Sequence, residues 1–282
     1  MRRIPIGRSV RCWLMLAPLI AVTLFPFAVM LSTALKPASE VLAFPPRWLP
    51  HHIDWGNFAA MWQAAHFGSA LFNSLAISIG ATLLALAVAV PAAYALARLP
   101  FGAKGIYRQF LLVTQMLSPI LLVLGLFRMA AAIPFDGGTL VNTRLVVIVI
   151  YAAFNIAFAV WMLAAYFAAI PRELEEAAWI DGCSKLRAVL SIFLPLSIPA
   201  IAVTAIVTFV SGWNEFTVAL TMLRSPDKQT ITLQVVNLVA GRYSIEWNQV
   251  MAAALVATVP VALVFVWLQR YLVKGLTLGA VK

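Results

Sequence analysis

Charge is what this sequence has least of. Only 11% of its 282 residues are charged, and 63% are hydrophobic. A soluble domain of this length has no interior large enough to hide that much apolar surface, which excludes an ordinary water-soluble globule. Acids are the scarcer sign, 10 against 20 bases, for a net charge of +10. The bases do not form a patch. They sit singly or in small groups at the ends of apolar runs, which excludes a nucleic-acid partner and suits a membrane. The two cysteines, Cys12 and Cys183, show no metal-ligand spacing. His51, His52 and His66 lack an acidic or cysteine companion at such spacing, so no metal is expected. No nucleophile–base–acid constellation is present, which disfavours a membrane-embedded enzyme. There is no G-x-x-x-x-G-K-[ST] phosphate loop, so any ATP chemistry belongs to another polypeptide.

What is there is a series of apolar runs of about 20 residues or more, long enough to cross a hydrocarbon core. Six spans are expected, roughly 13–35, 70–97, 110–132, 145–169, 197–222 and 249–273. The basic N-terminus precedes a run too long for a signal core and lacks a small-x-small site after it, so the first run reads as an uncleaved helix. Putting the N-terminus in the cytoplasm places 13 of the 20 bases inside, among them Arg2, Arg3, Arg8, Arg11, Arg98, Lys104 and Arg108, and seven outside, Lys36, Arg47, Arg128, Arg144, Arg224, Lys228 and Arg242. That bias favours both termini inside. Cys12 and Cys183 then face the reducing side, and neither is expected in a disulfide. The expected fold is an all-α integral membrane protein, one domain over 1–282. The outer loop 36–68 carries four prolines that forbid one long helix, with tryptophans suited to the interface. The loop 224–248 has a semi-apolar middle that could fold back on the bundle.

One polar segment lies between two apolar runs, at 171–195. Pro171 suits the start of a helix, and Glu173, Glu175 and Glu176 suit its positive end. Leu174, Ala177, Ala178 and Asp181 then share one face, with two alanines at its centre for close approach by another protein. Gly182 fits a C-terminal cap. A second helix fits Ser184 to Leu194 with the stripe Leu186, Val189, Leu190 and Phe193, and Pro195 and Pro199 mark the turn back into the membrane. From helix physics alone this is a helix–turn–helix, equally readable as an ordinary interfacial loop.

Its spacing adds more. Glu176-Ala177-Ala178, three residues, Gly182, nine residues, then Ile192-x-Leu194-Pro195 resembles the loop of binding-protein-dependent ABC importer permeases. The segment Ser211-Gly212-Trp213-Asn214-Glu215-Phe216 is similar to a stretch common in sugar permeases. The tail from Gly275 to Lys282 resembles that of the smaller maltose-type membrane subunit. The resemblance implies a sugar-import permease in the plasma (inner) membrane of a prokaryote, with a cytoplasmic coupling helix seated on an ATPase. Glu173, Glu176, Ala177, Ala178, Asp181 and Gly182 would make that contact, and the tail 275–282 would reach the same interface. It also implies a homologous second permease subunit, two ATPase subunits carrying ATP and Mg, and an extracytoplasmic solute-binding protein. Glycerol phosphate or a polyol remains an alternative cargo.

Polar residues inside apolar runs are the candidates for a pathway. Trp213, Asn214 and Glu215 offer a ring, an amide and a carboxylate suited to a sugar. Alternatively, Glu215 pairs with Arg128 or Arg144. Asn155 either faces the pathway or bonds a neighbouring helix. Gln115 and Ser118, ahead of a kink at Pro119, are further lining candidates, with Asn73 and Ser74 behind them. An ion-coupled secondary transporter would require several acids or histidines deep in the spans, and Glu215 stands nearly alone.

Overall fold

The computed structural model describes residues 6–64, 66–240 and 245–278. The elements are α1 (Ile6–Ala34), α2 (Ala38–Val41), α3 (Gly56–Ala64), α4 (Phe67–Arg98), α5 (Lys104–Met116), α6 (Pro119–Ala132), β1 (Pro134–Phe135) and β2 (Gly138–Thr139). They continue as α7 (Arg144–Ala169), α8 (Glu173–Ile180), α9 (Lys185–Ala188), a π-helical turn (Val189–Phe193), α10 (Leu194–Asn214), α11 (Thr217–Met222), a 3₁₀ turn (Pro226–Lys228), α12 (Ile231–Asn237) and α13 (Trp247–Leu278). The two strands form a minimal antiparallel hairpin closed by Asp136 and Gly137, both at positive φ, the geometry a two-residue hairpin turn demands.

Five helical stretches are long and apolar enough to cross a membrane: Trp13–Ala34, Phe67–Arg98, Arg144–Ala169, Lys185–Asn214 and Trp247–Trp267. The run expected as a single span over 110–132 is instead two helices, α5 and α6, bent by 95° at the break between them. The cause is local. Proline disfavours helical backbone in the residue before it, and both Leu117 (ψ 117°) and Ser118 (ψ 133°) are extended ahead of Pro119. The expected turn into the membrane at Pro195 and Pro199 is also corrected, because the chain is continuously helical from Lys185 to Asn214. Pro195 cannot donate a backbone hydrogen bond. The helix widens into a π turn just before it, with the Leu194 N–H reaching Val189 O five residues back. At the far end, the expected span 197–222 stops at Asn214 and resumes as α11.

The chain forms two compact units. One comprises Met1–Phe67 with Gln234–Val259, the other Gly68–Leu233 with Pro260–Lys282. In the first, the loop after α1 is tied down by Asn57. Its amide donates to Ala34 O and Lys36 O, both at 2.9 Å, and its oxygen accepts from Asn248 Nδ2 at 2.8 Å. The prolines do prevent one long helix there, leaving α2 and α3.

In the second unit, α4 packs through a row of buried residues four apart, Ile77, Ala81, Ala85, Ala89, Ala93 and Ala97. Spacing of four keeps them on one face, and their small size lets the backbones approach. Val147, Tyr151, Val160, Leu163 and Phe167 of α7 meet that row. The semi-apolar loop does fold back. Asn73 Nδ2 donates to Asp227 O (2.8 Å) and Gln229 O (3.0 Å), and Ser74 Oγ accepts from Ile231 N (2.8 Å). Asn142 Oδ1 accepts from the amides of Arg224 and Ser225, both at 3.0 Å. Asn73 Nδ2 and Ser74 Oγ thus hold this loop.

Candidate functional site

The polar segment is a capped helix. The amides of Glu175 and Glu176 donate to Arg172 O at 3.0 and 3.1 Å, starting α8. At its other end Gly182 takes φ +81°, its N–H donates to Trp179 O (3.1 Å), and the Cys183 N–H donates to Ala178 O (2.9 Å). Those two bonds make a Schellman cap, and the positive φ is why a glycine stands there. Ser184 caps α9 by accepting from the Arg187 amide at 3.4 Å.

α8 divides its residues sharply. Glu173, Glu176, Ala177, Asp181 and Gly182 are exposed, as are Leu174 and Ile180. Ala178 turns inward at 7% exposure, so the close-approach face carries one exposed alanine where two were expected. Beside it is the residue sequence reasoning missed. Glu175 is 4% exposed and ion-pairs with Arg98 at the end of α4, Oε1 to Nε at 3.0 Å. Its other oxygen accepts from the Tyr94 hydroxyl at 2.9 Å. Arg98 also donates from Nη2 to Ile170 O (2.6 Å), and its guanidinium lies 5.3 Å from the centre of the Phe193 ring. Both ionic side chains are nearly dry, at 6% and 5% exposure. Such charges persist in a low-dielectric interior only when paired and hydrogen-bonded. The signal available in the sequence was the i, i+4 pair of Tyr94 and Arg98 on one face of α4. A cavity of about 140 Å³ opens over this cluster, lined by Tyr94, Arg98, Leu99, Arg172, Glu175, Glu176, Trp179 and Lys185.

A second cavity, about 340 Å³, gathers candidates from separate helices. Gln115 and Thr114 of α5, Phe154, Asn155 and Phe158 of α7, and Val207 and Ser211 of α10 line it, with Leu117 and Pro119 at the bend. Asn155 donates from Nδ2 to Tyr151 O within its own helix at 2.8 Å. It therefore serves as local backbone partner and cavity wall, and not as a bond to a neighbouring helix. Ser118 is exposed at the bend and is not among the lining residues. Thr114, Phe158 and Ser211 were not singled out from the sequence. They become visible only once the 95° bend brings α5 opposite α7 and α10.

Trp213, Asn214 and Glu215 are not brought into that cavity. Trp213 is 3% exposed and stacked on Phe209 at 5.7 Å, which leaves no ring face for a solute. The Glu215 carboxylate accepts from the Val218 amide at 3.0 and 3.1 Å and from the Ala219 amide at 3.4 Å. It caps the first turn of α11. The expected alternative fails too. Among the described residues no ion pair joins Glu215 to Arg128 or Arg144, and Arg144 instead lies over the Phe72 ring at 5.4 Å. Of the tail expected at the same interface as α8, residues 279–282 lie outside the described residues. No group of three or more His, Cys, Asp or Glu side chains among the described residues could hold a metal.

Comparison with known proteins follows the same lines. Residues 89–278 match the family model described as binding-protein-dependent transport system inner membrane component. The chain is 31% identical to the diacetylchitobiose uptake system permease protein DasC of Streptomyces coelicolor, over 92% of this chain and 91% of that one. It is 34% identical to the trehalose/maltose transport system permease protein MalG of Thermococcus litoralis, over 77% of this chain and 76% of the relative. In fold it is similar to a chain from the crystal structure of a bacterial ABC transporter involved in the import of the acidic polysaccharide alginate. That match has a TM-score of 0.76 and 20% identity, and covers 96% of this chain and 99% of the other.

Proposed function

The chain belongs to the family of binding-protein-dependent transport system inner membrane components, and from that premise we propose that it is a permease subunit importing a sugar or oligosaccharide. It is a multi-pass membrane protein that works with ATPase subunits carried on separate chains. The single observation that carries the proposal is α8. It is a short exposed helix bearing Glu173, Glu176 and Asp181, closed by Gly182 at positive φ, within the residues the family model covers. The curated relatives named for diacetylchitobiose and for trehalose and maltose support a carbohydrate as cargo.

The arrangement proposed has six spans, counting the bent pair α5–α6 as one, in a single membrane domain with both termini in the cytoplasm. A homologous second permease completes the pathway. Two ATPase subunits bind ATP and Mg beneath it, and a solute-binding protein docks outside. Glu176 meets the ATPase by charge, Ala177 and Asp181 pack against it, and Gly182 sets the angle at which α8 is presented. Closure of the ATPase pair on ATP draws the two permeases' short helices together and shifts the bundle toward its outward-open state. That shift requires ATP and the loaded binding protein each to favour that state. The cavity lined by Gln115, Asn155, Phe154 and Phe158 suits a passing sugar, with the Gln115 amide for hydroxyls and rings for the apolar faces of the pyranose.

The test is uptake of radiolabelled maltose, trehalose and diacetylchitobiose into proteoliposomes holding the assembled complex. Uptake is expected to require internal ATP, the ATPase subunits and the solute-binding protein. Uptake that persists without ATPase subunits under a proton or sodium gradient would overturn the proposal.

A further inference from the structure

Nothing in the coupling reading explains Glu175. It is the one acid of α8 turned away from any ATPase, and α4 holds it directly, through a base that itself reaches two further elements. The carboxylate takes Arg98 Nε and the Tyr94 hydroxyl from the end of α4. Arg98 in turn reaches Ile170 O, where α7 ends, and lies over Phe193 of the π turn. Phe193 closes the set, edge-on to Tyr94 at 5.0 Å and to Phe167 at 4.9 Å. A short helix on a loop would ordinarily swing when pulled, since loops deform before packed helices do. Here α8 is joined to α4 by a buried, charge-assisted contact and not by chain connectivity alone.

We propose that the Tyr94–Arg98–Glu175 cluster locks α8 to the foot of α4, so that a displacement imposed on α8 moves α4 as one body with it. The inference rests on the reading of α8 as the ATPase contact and adds the route by which motion leaves it. Glu175, Arg98 and Tyr94 are positioning residues in this account. They touch neither solute nor ATPase. The lock also gives α8 its division of labour, with Glu173, Glu176 and Asp181 facing out and Glu175 and Ala178 facing in. α4 is the helix to drive, because its alanine row packs along the length of α7, which walls the Asn155 cavity.

The experiment uses the full complex in nanodiscs, with spin labels at Val88→Cys on α4 and Ile180→Cys on α8 and both native cysteines replaced by serine. The two sites lie on the two helices the cluster joins and are exposed, at 44% and 86%. Distances are measured by electron–electron double resonance without nucleotide and with ATP trapped by vanadate. The lock predicts one narrow distribution, unchanged between the two states. Glu175→Gln is expected to broaden it and shift it by several ångströms when ATP is trapped. Tyr94→Phe, which keeps the ring against Phe193 and so guards against loss of folding, is expected to do the same to a lesser degree. A distance that changes with nucleotide in the unsubstituted cluster would overturn the proposal. So would a distance that stays fixed in both variants. Co-purification of the ATPase with Glu176→Lys at the unsubstituted level would count against the reading of α8 and leave the lock standing, so the two failures are distinguishable.

Discussion

Gly182 carries the sharpest local constraint. Its φ of +81° is a conformation other residues resist, yet a Cβ built there meets nothing within 4 Å. Any penalty of substitution is therefore backbone strain, about 1–2 kcal/mol for a residue forced left-handed. The expected order of coupled uptake, at equal membrane insertion, is Gly182, then Gly182→Asn, then Gly182→Ala, then Gly182→Val, because asparagine tolerates that region and β-branched residues do not. Equal rates for the asparagine and valine variants would refute it. Asn155 makes a different prediction. Its amide donates to Tyr151 O, and it lines the cavity proposed as the pathway. Asn155→Leu is expected to lower the maximal uptake rate while ATPase subunits still co-purify. Glu175 shows why side-chain roles are hard to read from a chain alone. Helix periodicity sets Glu175 on another side of α8 from Glu173 and Glu176, but only Arg98, arriving from another helix, shows which side is buried.

Among the elements, α11 depends on Glu215. Three amide contacts to one carboxylate satisfy donors that α11 cannot satisfy itself. Glu215→Ala is expected to destabilise the protein by about 1 kcal/mol, the usual cost of a lost cap, and Glu215→Gln by less. Thermal unfolding in detergent checks this, and an unchanged midpoint for the alanine variant would refute the capping role. Much of the helical architecture was legible, because long apolar runs and their basic ends announce spans directly. The breaks were not. Pro119 signalled a kink, but the 95° angle depends on Leu117 and Ser118 both being extended. Pro195 signalled a turn, and the helix instead passes it through a π turn that removes the demand for its missing N–H. Trp213-Asn214-Glu215 looked like a sugar site by composition, and packing decided otherwise by burying the ring and using the carboxylate for α11.

Taken whole, the molecule pairs a largely apolar cavity with a few polar groups, beside the bend of α5 and α6, with an exposed acidic helix at 173–180. The helix α8 was readable before any fold was known, because its capping residues and the spacing to Ile192, Leu194 and Pro195 lie in one short stretch. The cavity was not, because its walls come from residues distant in sequence. The central claim is that α8 is where a separate ATPase does its work on this chain. Its most direct test is ATP-driven oligosaccharide uptake by the reconstituted complex carrying Glu176→Lys or Gly182→Val. The account predicts that both variants insert and pair with the second permease, yet lose uptake and stimulation of ATP hydrolysis by the loaded binding protein. Normal uptake with normal stimulation in both variants would contradict it.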